Sequence, residues 1–386
     1  MPWMETCAMD QRVQLVGDWL KGEHTIGELV KHYQVSRKTV YKWINRYTSG
    51  GVESLIETSR APHHHHNATP PEIVSQLIET KLRHTNWGPK KLVNWLRLNY
   101  PERRWPVAST AQSILRKEGL VKPKRLRRHT PPFTRPFQGC LKPNDTWSID
   151  YKGQFRTGDG KLCYPLTITD NFSRYLITCR GLQHPSYEAT QPWLERAFRE
   201  YGLPLAIKSD NGTPFASTGI AGLSRLSVWL IRLNVVPERI ALSHPEQNGR
   251  HERMHRTLKE ATCKPPRYCL TDQQKAFDRF KAEYNEERPH EAIAMKSPAA
   301  LYEPSRRLFP IRLPSVEYDS WLTIRRVMDS GCIKWKGDFI YITQALAGEP
   351  IGLKQLGDMT WELWFSNYPL GILEEMTGKV SPMSPV

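Results

Sequence analysis

The sequence has few of the devices that brace secreted or membrane-bound chains. Its seven cysteines are odd in number, scattered, and contain no CxxC pair, so neither a disulfide framework nor a ribbon-type zinc site is expected. No run approaches the roughly eighteen apolar residues of a membrane span, and the opening MPWMETCAMDQRV lacks the apolar core of a signal peptide. A soluble, cytoplasmic protein with no membrane partner is the expectation. Acidic residues are also in deficit: 39 Asp and Glu face 55 Lys and Arg, a net charge of +16. Such an excess does not specify a fold. It does favour a polyanionic partner, because Lys and Arg release counterions condensed on phosphates.

At 386 residues the chain is too long for one ordinary domain. Residues 1–60 read as three helices. Asp10–Lys21 carries Val13, Val16 and Leu20 at helical spacing, widened by Leu15 and Trp19. A shorter helix at Thr25–Tyr33 follows, and Ser36 caps a third with Val40, Trp43, Ile44 and Tyr47 on one face. The opposite face offers Arg37, Lys38, Thr39, Lys42 and Arg46. A short helix, a tight turn and a helix with a basic, polar beginning is a helix-turn-helix layout, suited to the major groove of double-stranded DNA. His63–His66, in RAPHHHHNATPP, reads as part of a connector because Pro and Asn surround it.

A second helical unit of the same kind is expected over 68–128. It has an opening helix with Val74, Leu77, Ile78 and Leu82, then WGPKKLVNWLRLNYP, then a helix capped by Ser109 that ends at Gly119. The stretch KPKRLRRHTPPFTRPF holds six basic residues between Lys122 and Arg135 and no acidic ones. It leads through a basic linker at 129–142, suited to a phosphate backbone. From 143 to 305 strand-like runs (TWSIDYKGQF, KLCYPLTITD, SRYLITCRGL) give way to helices alternating with strands, which predicts an α/β domain with a mixed sheet. Short strands split by turn residues over 320–376 predict a small β-barrel exposing Arg325, Arg326, Lys334 and Lys336.

The chemistry-bearing residues are carboxylates. Asp150 sits within an apolar strand between Ile149 and Tyr151, where an unpaired charge is expensive. Asp210 ends a strand and is followed by the tight turn Asn211-Gly212. Glu252 stands three residues after Gly249, early in a helix whose later turns carry Arg256 and Lys259. Carboxylates gathered from separate elements suit two-metal phosphoryl transfer. Mg²⁺ prefers such hard oxygen ligands and keeps positions open for water and phosphate. Asp170 also ends a strand, but it opens the turn DNFS, where Asp commonly caps local backbone. His244, His251 and His255 crowd the third motif and read as helix-surface residues beside the site.

WSIDYKG, SDNGTPF and HPEQNGRHERMHRTLK together resemble the integrase catalytic core of retroviral integrases and bacterial insertion-sequence transposases. YNEERPHEAIAMKSPAALY is similar to the tail of that core in bacterial members. The opening segment, SRKTVYKW and ALAGEPIGL extend the likeness to IS481-type transposases over nearly the whole chain. The resemblance implies an RNase H-like core, flanking helix-turn-helix modules, a small SH3-like C-terminal β-barrel, two Mg²⁺ (or Mn²⁺) ions, and a homo-oligomer on paired element ends. It assigns Asp150, Asp210 and Glu252 as catalytic metal ligands, with Asn211 supporting and Arg256 and Lys259 positioning phosphates. Glu246 has 35 residues between it and Asp210, whereas Glu252 has 41. The family pattern nevertheless sets the metal-binding Glu three residues after the glycine, and ASTGIAGLSRL reads as an insertion that lengthens the interval. The expected function is that of a DNA transposase acting on terminal inverted repeats and target DNA; the alternative is a catalytically silent DNA-binding regulator derived from one.

Overall fold

The computed structural model describes residues 7–57, 68–121, 139–217, 219–240 and 249–382. Most of the basic linker, His63–His66, His244 and Glu246 lie outside the described residues. The chain divides into two compact units, residues 1–69 and 70–386. Among the described residues no helix is long and apolar enough to cross a membrane.

The first unit holds α1 (Ala8–Lys21), α2 (Ile26–Tyr33) and α3 (Arg37–Gly50). Thr25 and Glu28 form a reciprocal capping box at the start of α2, Gln34 takes a left-handed conformation in the turn, and Ser36 caps α3 through the Thr39 N–H. Val40, Trp43 and Ile44 are buried as their spacing predicts. On α1 the buried stripe is shifted. Leu15 and Val16 enter the core with Trp19 packed beside them, whereas Val13 and Leu20 are exposed. Both spacings satisfy helical periodicity, and packing against α3 selects one of them.

The second unit begins with α4 (Pro71–Arg83), α5 (Pro89–Asn99) and α6 (Ala108–Lys117), whose core joins Ile73, Leu77, Trp87, Leu92, Leu96 and Leu115. Ser109 does not cap α6. The helix begins one residue earlier, after Val107, with no side-chain cap. Leu82, expected on the apolar face of α4, is exposed. This helical module packs on the domain that follows: the Asn94 amide donates to the Met295 carbonyl at 3.1 Å, and His84 meets Glu283 at 3.1 Å.

That domain is built on a mixed sheet. β1 (Thr146–Tyr151), β2 (Phe155–Arg156), β3 (Leu162–Asp170), β4 (Leu176–Leu182), β5 (Ala206–Ser209) and β6 (Val236–Arg239) lie in the order β2-β3-β1-β5-β6, with β4 also on β3. β3 and β4 form the expected antiparallel hairpin, and β5 joins β1 in parallel. Trp147, Ile149, Leu166 and Ile168 point to the face covered by α7 (Tyr187–Tyr201) and α8 (Arg225–Arg232), where the Phe198 ring lies 5.8 Å from Trp147 and 5.5 Å from Trp229. Strand alternation sends Ser148, Asp150, Thr167 and Thr169 to the opposite face. There α9 (Gly249–Thr262) and α10 (Leu270–Ala282) pack through Met254, Leu258, Phe277 and Phe280. Gly202 ends α7 with a positive φ of 75°, and an added Cβ would meet the Ser305 carbonyl, so the following chain passes too close for any side chain.

The C-terminal strands are β7 (Thr323–Arg326), β8 (Cys332–Trp335), β9 (Asp338–Tyr341), β10 (Pro350–Gly357), β11 (Thr360–Phe365), β12 (Tyr368–Glu374) and β13 (Lys379–Ser381). They form an antiparallel sheet in the order β13-β12-β11-β10-β7 and a separate β8-β9 hairpin. Their core includes Leu223, Val228 and Ile231, whereas Leu226, Trp229 and Leu230 belong to the core above the mixed sheet. A helix apolar on all sides must be buried on all sides, and α8 meets that demand by serving two cores at once. Ile220 and Ala221, within the segment read as an insertion, pack against the C-terminal sheet.

Candidate active site

Three residues of β1 and β5 pair in parallel register, ending with Ser148 opposite Lys208. Asp150 and Asp210 each stand two residues further toward the C-terminal ends of these strands, Asp210 one residue past the end of β5. Asp150 is mostly buried, with 16% of its side chain exposed. The Asp210 carboxyl is pushed above the ordinary carboxylate range by burial, opposed by the Gly212 N–H at 3.2 Å. Burying a carboxylate is costly, and a divalent cation held by these two residues would offset that cost. Their hard oxygens fit Mg²⁺ or Mn²⁺.

Asn211 donates from its side-chain amide to the Ile240 carbonyl at 2.9 Å, which ties the turn after Asp210 to the end of β6. It therefore braces the turn and does not bond the Asp210 carboxylate. Glu252 lies in the first turn of α9 and is exposed, as are Arg256 and Lys259. Asp170 fills a local structural role: its carboxylate accepts from the Asn144 N–H at 2.9 Å, the Ser173 N–H at 2.7 Å and the Ser173 hydroxyl at 2.6 Å.

Two histidines depart from the expectation of a helix surface. His251 and His255 are 2% and 5% exposed. With Met254, Leu258 and Thr262 they form the buried stripe of α9, a spacing visible in the sequence once the helix is assigned. The Thr167 hydroxyl lies 2.6 Å from Nε2 of each ring and 3.1 Å from the main-chain carbonyl of Asp150. The Thr169 hydroxyl lies 3.0 Å from His251 Nδ1. Among the described residues, the set whose donor atoms approach closely enough to share one ion is Asp150, His251 and His255, not Asp150, Asp210 and Glu252. Both ring nitrogens of His251 are already engaged by threonine hydroxyls. We therefore read this set as a hydrogen-bonded brace that seats α9 on β1 and β3, with His255 Nδ1 3.8 Å from the Asp150 carboxylate.

Burial pushes His251 down to about 3. His255 is pushed down too, by burial first and then by His251 and Lys152. Each folded-state pKa is depressed, so the stability these rings contribute is complete above the unfolded value of 6.5 and is lost as pH falls below it. In metal-free buffer the unfolding free energy is expected to drop by about 1.4 kcal/mol per pH unit for each ring below that point. Urea titrations of the parent and of His251→Asn between about pH 8 and pH 5 read this directly. Equal pH slopes for the two proteins would show that His251 is not held neutral.

On α3, Arg37, Lys38 and Lys42 are exposed, as a groove-reading face requires. Thr39 is partly occupied, its hydroxyl 2.9 Å from that of Ser36. Arg46 folds back, with its guanidinium 5.1 Å from the Trp43 ring and bonded to the Ile56 carbonyl.

Comparison with known proteins agrees with this architecture. Residues 141–245 and 233–298 match models of the integrase core domain, residues 11–63 a helix-turn-helix domain, and residues 39–115 a homeodomain-like domain. The chain carries an integrase core domain preceded by helix-turn-helix domains. It is homologous to an insertion-element protein and to retroviral Pol polyproteins. The uncharacterized 31.7 kDa protein of insertion element IS407 from Burkholderia multivorans is 25% identical over 158 residues, 41% of this chain and 54% of that protein. The Gag-Pol polyprotein of baboon endogenous virus is 30% identical over 123 residues, 32% of this chain but only 7% of the polyprotein. Among solved structures, the catalytic core of HTLV-2 integrase in complex with magnesium aligns with 42% of this chain and 99% of its own length, at 17% identity and a TM-score of 0.34.

Proposed function

We propose that this protein is a DNA transposase of the insertion-sequence type, which cuts DNA at the ends of its element and joins them to a target. The observation that carries the reading is an integrase core domain in which β1, holding Asp150, and β5, running into Asp210, pair in parallel. Glu252 is assigned as the third metal-holding carboxylate. Two Mg²⁺ or Mn²⁺ ions, when bound, supply positive charge for the attacking and leaving oxygens. The helix-turn-helix modules bind the terminal inverted repeats, with Arg37, Lys38 and Lys42 toward the groove.

Water attacks the phosphodiester at the element's end, the bond to the flanking strand breaks, and a 3′-hydroxyl is freed. That hydroxyl then attacks a phosphodiester of target DNA, joining the strands and releasing a target 3′-hydroxyl. Arg256 and Lys259 hold phosphates beside Glu252, and Asn211 keeps the Asp210 turn in place. The C-terminal module, read as a small SH3-like barrel, adds a second basic surface, and several protomers assemble on paired ends.

The test uses purified protein, a labelled duplex carrying the presumed element end, and a circular target, with Mg²⁺ or with EDTA. Nicking and joined products in Mg²⁺ that vanish in EDTA are expected. Tight binding without either product in any metal would overturn the reading in favour of a silent DNA-binding regulator.

A further inference from the structure

The strongest charged feature outside the carboxylates is a set of cations drawn from four separate segments. Lys91 lies near the start of α5, Arg174 just beyond the β3–β4 turn, Arg250 and Arg253 in the first turns of α9, and Arg288 after α10. We propose that these five side chains form a cradle for the phosphate backbone of a DNA strand, joining the α4–α6 module to the integrase core. The inference rests on the reading of the chain as a DNA-processing enzyme, and names a site for the strand that the carboxylates alone do not define.

The side chains converge. Arg174 and Arg250 both donate to the Asn171 carbonyl, at 2.6 Å and 3.1 Å. Lys91 is pushed down to about 8 by burial first and then by the like charge of Arg288, with Arg253 adding to it and Glu291 opposing. Arg174 is pushed down to about 10 by burial and then by Arg250. Burial lowers Arg288 as well, against the opposing pull of Tyr284, Glu283 and Glu260. Among the described residues, Lys91, Arg174, Arg253 and Arg288 make no ion pair with a carboxylate. Asp170, the acid nearest Arg174 along the chain, is spent on Asn144 and Ser173.

Cations that repel one another, Lys91, Arg174 and Arg288 among them half-buried, are costly unless an anion joins them. A phosphodiester backbone suits the arrangement because it offers a charge at each nucleotide along an extended line, and arginine binds phosphate oxygens in bidentate fashion. Two further groups match the same ligand. The N-terminus of α5 has no side-chain cap; Pro89 has no N–H and the Lys91 N–H is taken by the Gly88 carbonyl, which leaves the Lys90 N–H and the helix dipole for an anion. His290 Nε2 is buried without a partner; burial, Lys91 and Arg288 hold the ring neutral and it bonds the Tyr284 main chain, so Nε2 donates to an oxygen once an anion in the cradle offsets those charges and the ring takes up a proton. The location is apt as well. Arg250 and Arg253 flank Glu252 in the sequence of α9, so a strand held in the cradle passes next to the carboxylates.

The cradle also explains a contrast within one interface. At one end α4 is held to the core by attraction, with His84 3.1 Å from Glu283 and 3.7 Å from Glu287. At the other end, where Lys91 faces Arg288, the charges repel. A bound strand converts that repulsion into a bridge.

The experiment measures duplex binding against salt for the parent, Lys91→Gln, Arg288→Gln, their double variant, and Arg199→Gln as a control that removes one exposed charge, paired with Glu195, from α7. Each cradle variant is expected to lower the slope of log K against log salt by about 0.9, and the double variant by about 1.8. The control should keep the parent slope. Thermal unfolding of the free proteins separates binding from folding: losing a repelling charge should leave the midpoint unchanged or raised, whereas a purely structural role would lower it. The parent slope in the double variant, or a lowered midpoint in both single variants, would overturn the cradle while leaving the proposed function intact. Failure of the parent to bind duplex at any salt would overturn both.

Discussion

Changing Asp150 to Asn is expected to reduce metal-dependent end cleavage by at least about three orders of magnitude, or about 4 kcal/mol in the barrier, with DNA binding retained. The amide keeps the shape of the carboxylate but loses its charge, and a neutral carbonyl is a poor substitute where a hard dication must be held. The fold should survive the change. Thr167 bonds the main-chain carbonyl of residue 150, not its side chain, so the bridge from β1 through Thr167 to His251 and His255 does not depend on the carboxylate. Asp210→Asn should behave alike, because the same metal-holding role is proposed for it. Gel-shift binding and cleavage measured on one preparation decide the matter. Cleavage within tenfold of the parent would remove Asp150 from the metal site.

The second large effect separates two glutamates. Glu252→Gln is expected to abolish cleavage to a similar extent, whereas Glu246→Gln should retain most of it. Glu252 belongs to a helix whose seat on the sheet is set by His251 and His255, the residues one before and three after it. Its position relative to β1 is therefore held by buried hydrogen bonds, as a group that must meet a metal within a fraction of an ångström requires. Glu246 lies outside the described residues and precedes that helix. Single-turnover cleavage by the two variants gives the answer, and the reverse pattern would shift the third carboxylate by six positions.

Much of the architecture is legible from local chemistry. Thr25 with Glu28, Ser36 before a basic run, and Gly202 after α7 mark helix ends because side-chain caps and left-handed residues act within a few positions. Asp170 reads as a turn cap for the same reason, and the structure gives it that role. Errors arise where local patterns leave two choices. Val13 and Leu20 fit a helical stripe as well as Leu15 and Trp19 do, and contact with the rest of the bundle decides between them. Ser109 is an acceptable cap but lies two residues after Val107, the residue that precedes the helix. The histidines of α9 look like surface residues because imidazole is polar, and only Thr167 and Thr169 from a strand about eighty positions earlier make their burial tolerable.

The sequence by itself determined the charge of the molecule, the hard oxygen chemistry of Asp150, Asp210 and Glu252, and the order of helical and mixed α/β regions, since these follow from residue type and short-range spacing. Tertiary structure alone decided which of those residues lose water and which partners they meet. It paired β1 with β5 in parallel, turned both faces of α8 into cores, and drew Lys91 toward Arg288 across almost two hundred residues of chain. The physical reason is range: capping and periodicity act over one or two turns, whereas desolvation and Coulomb energy depend on distance in space, which the order of residues along a chain does not contain.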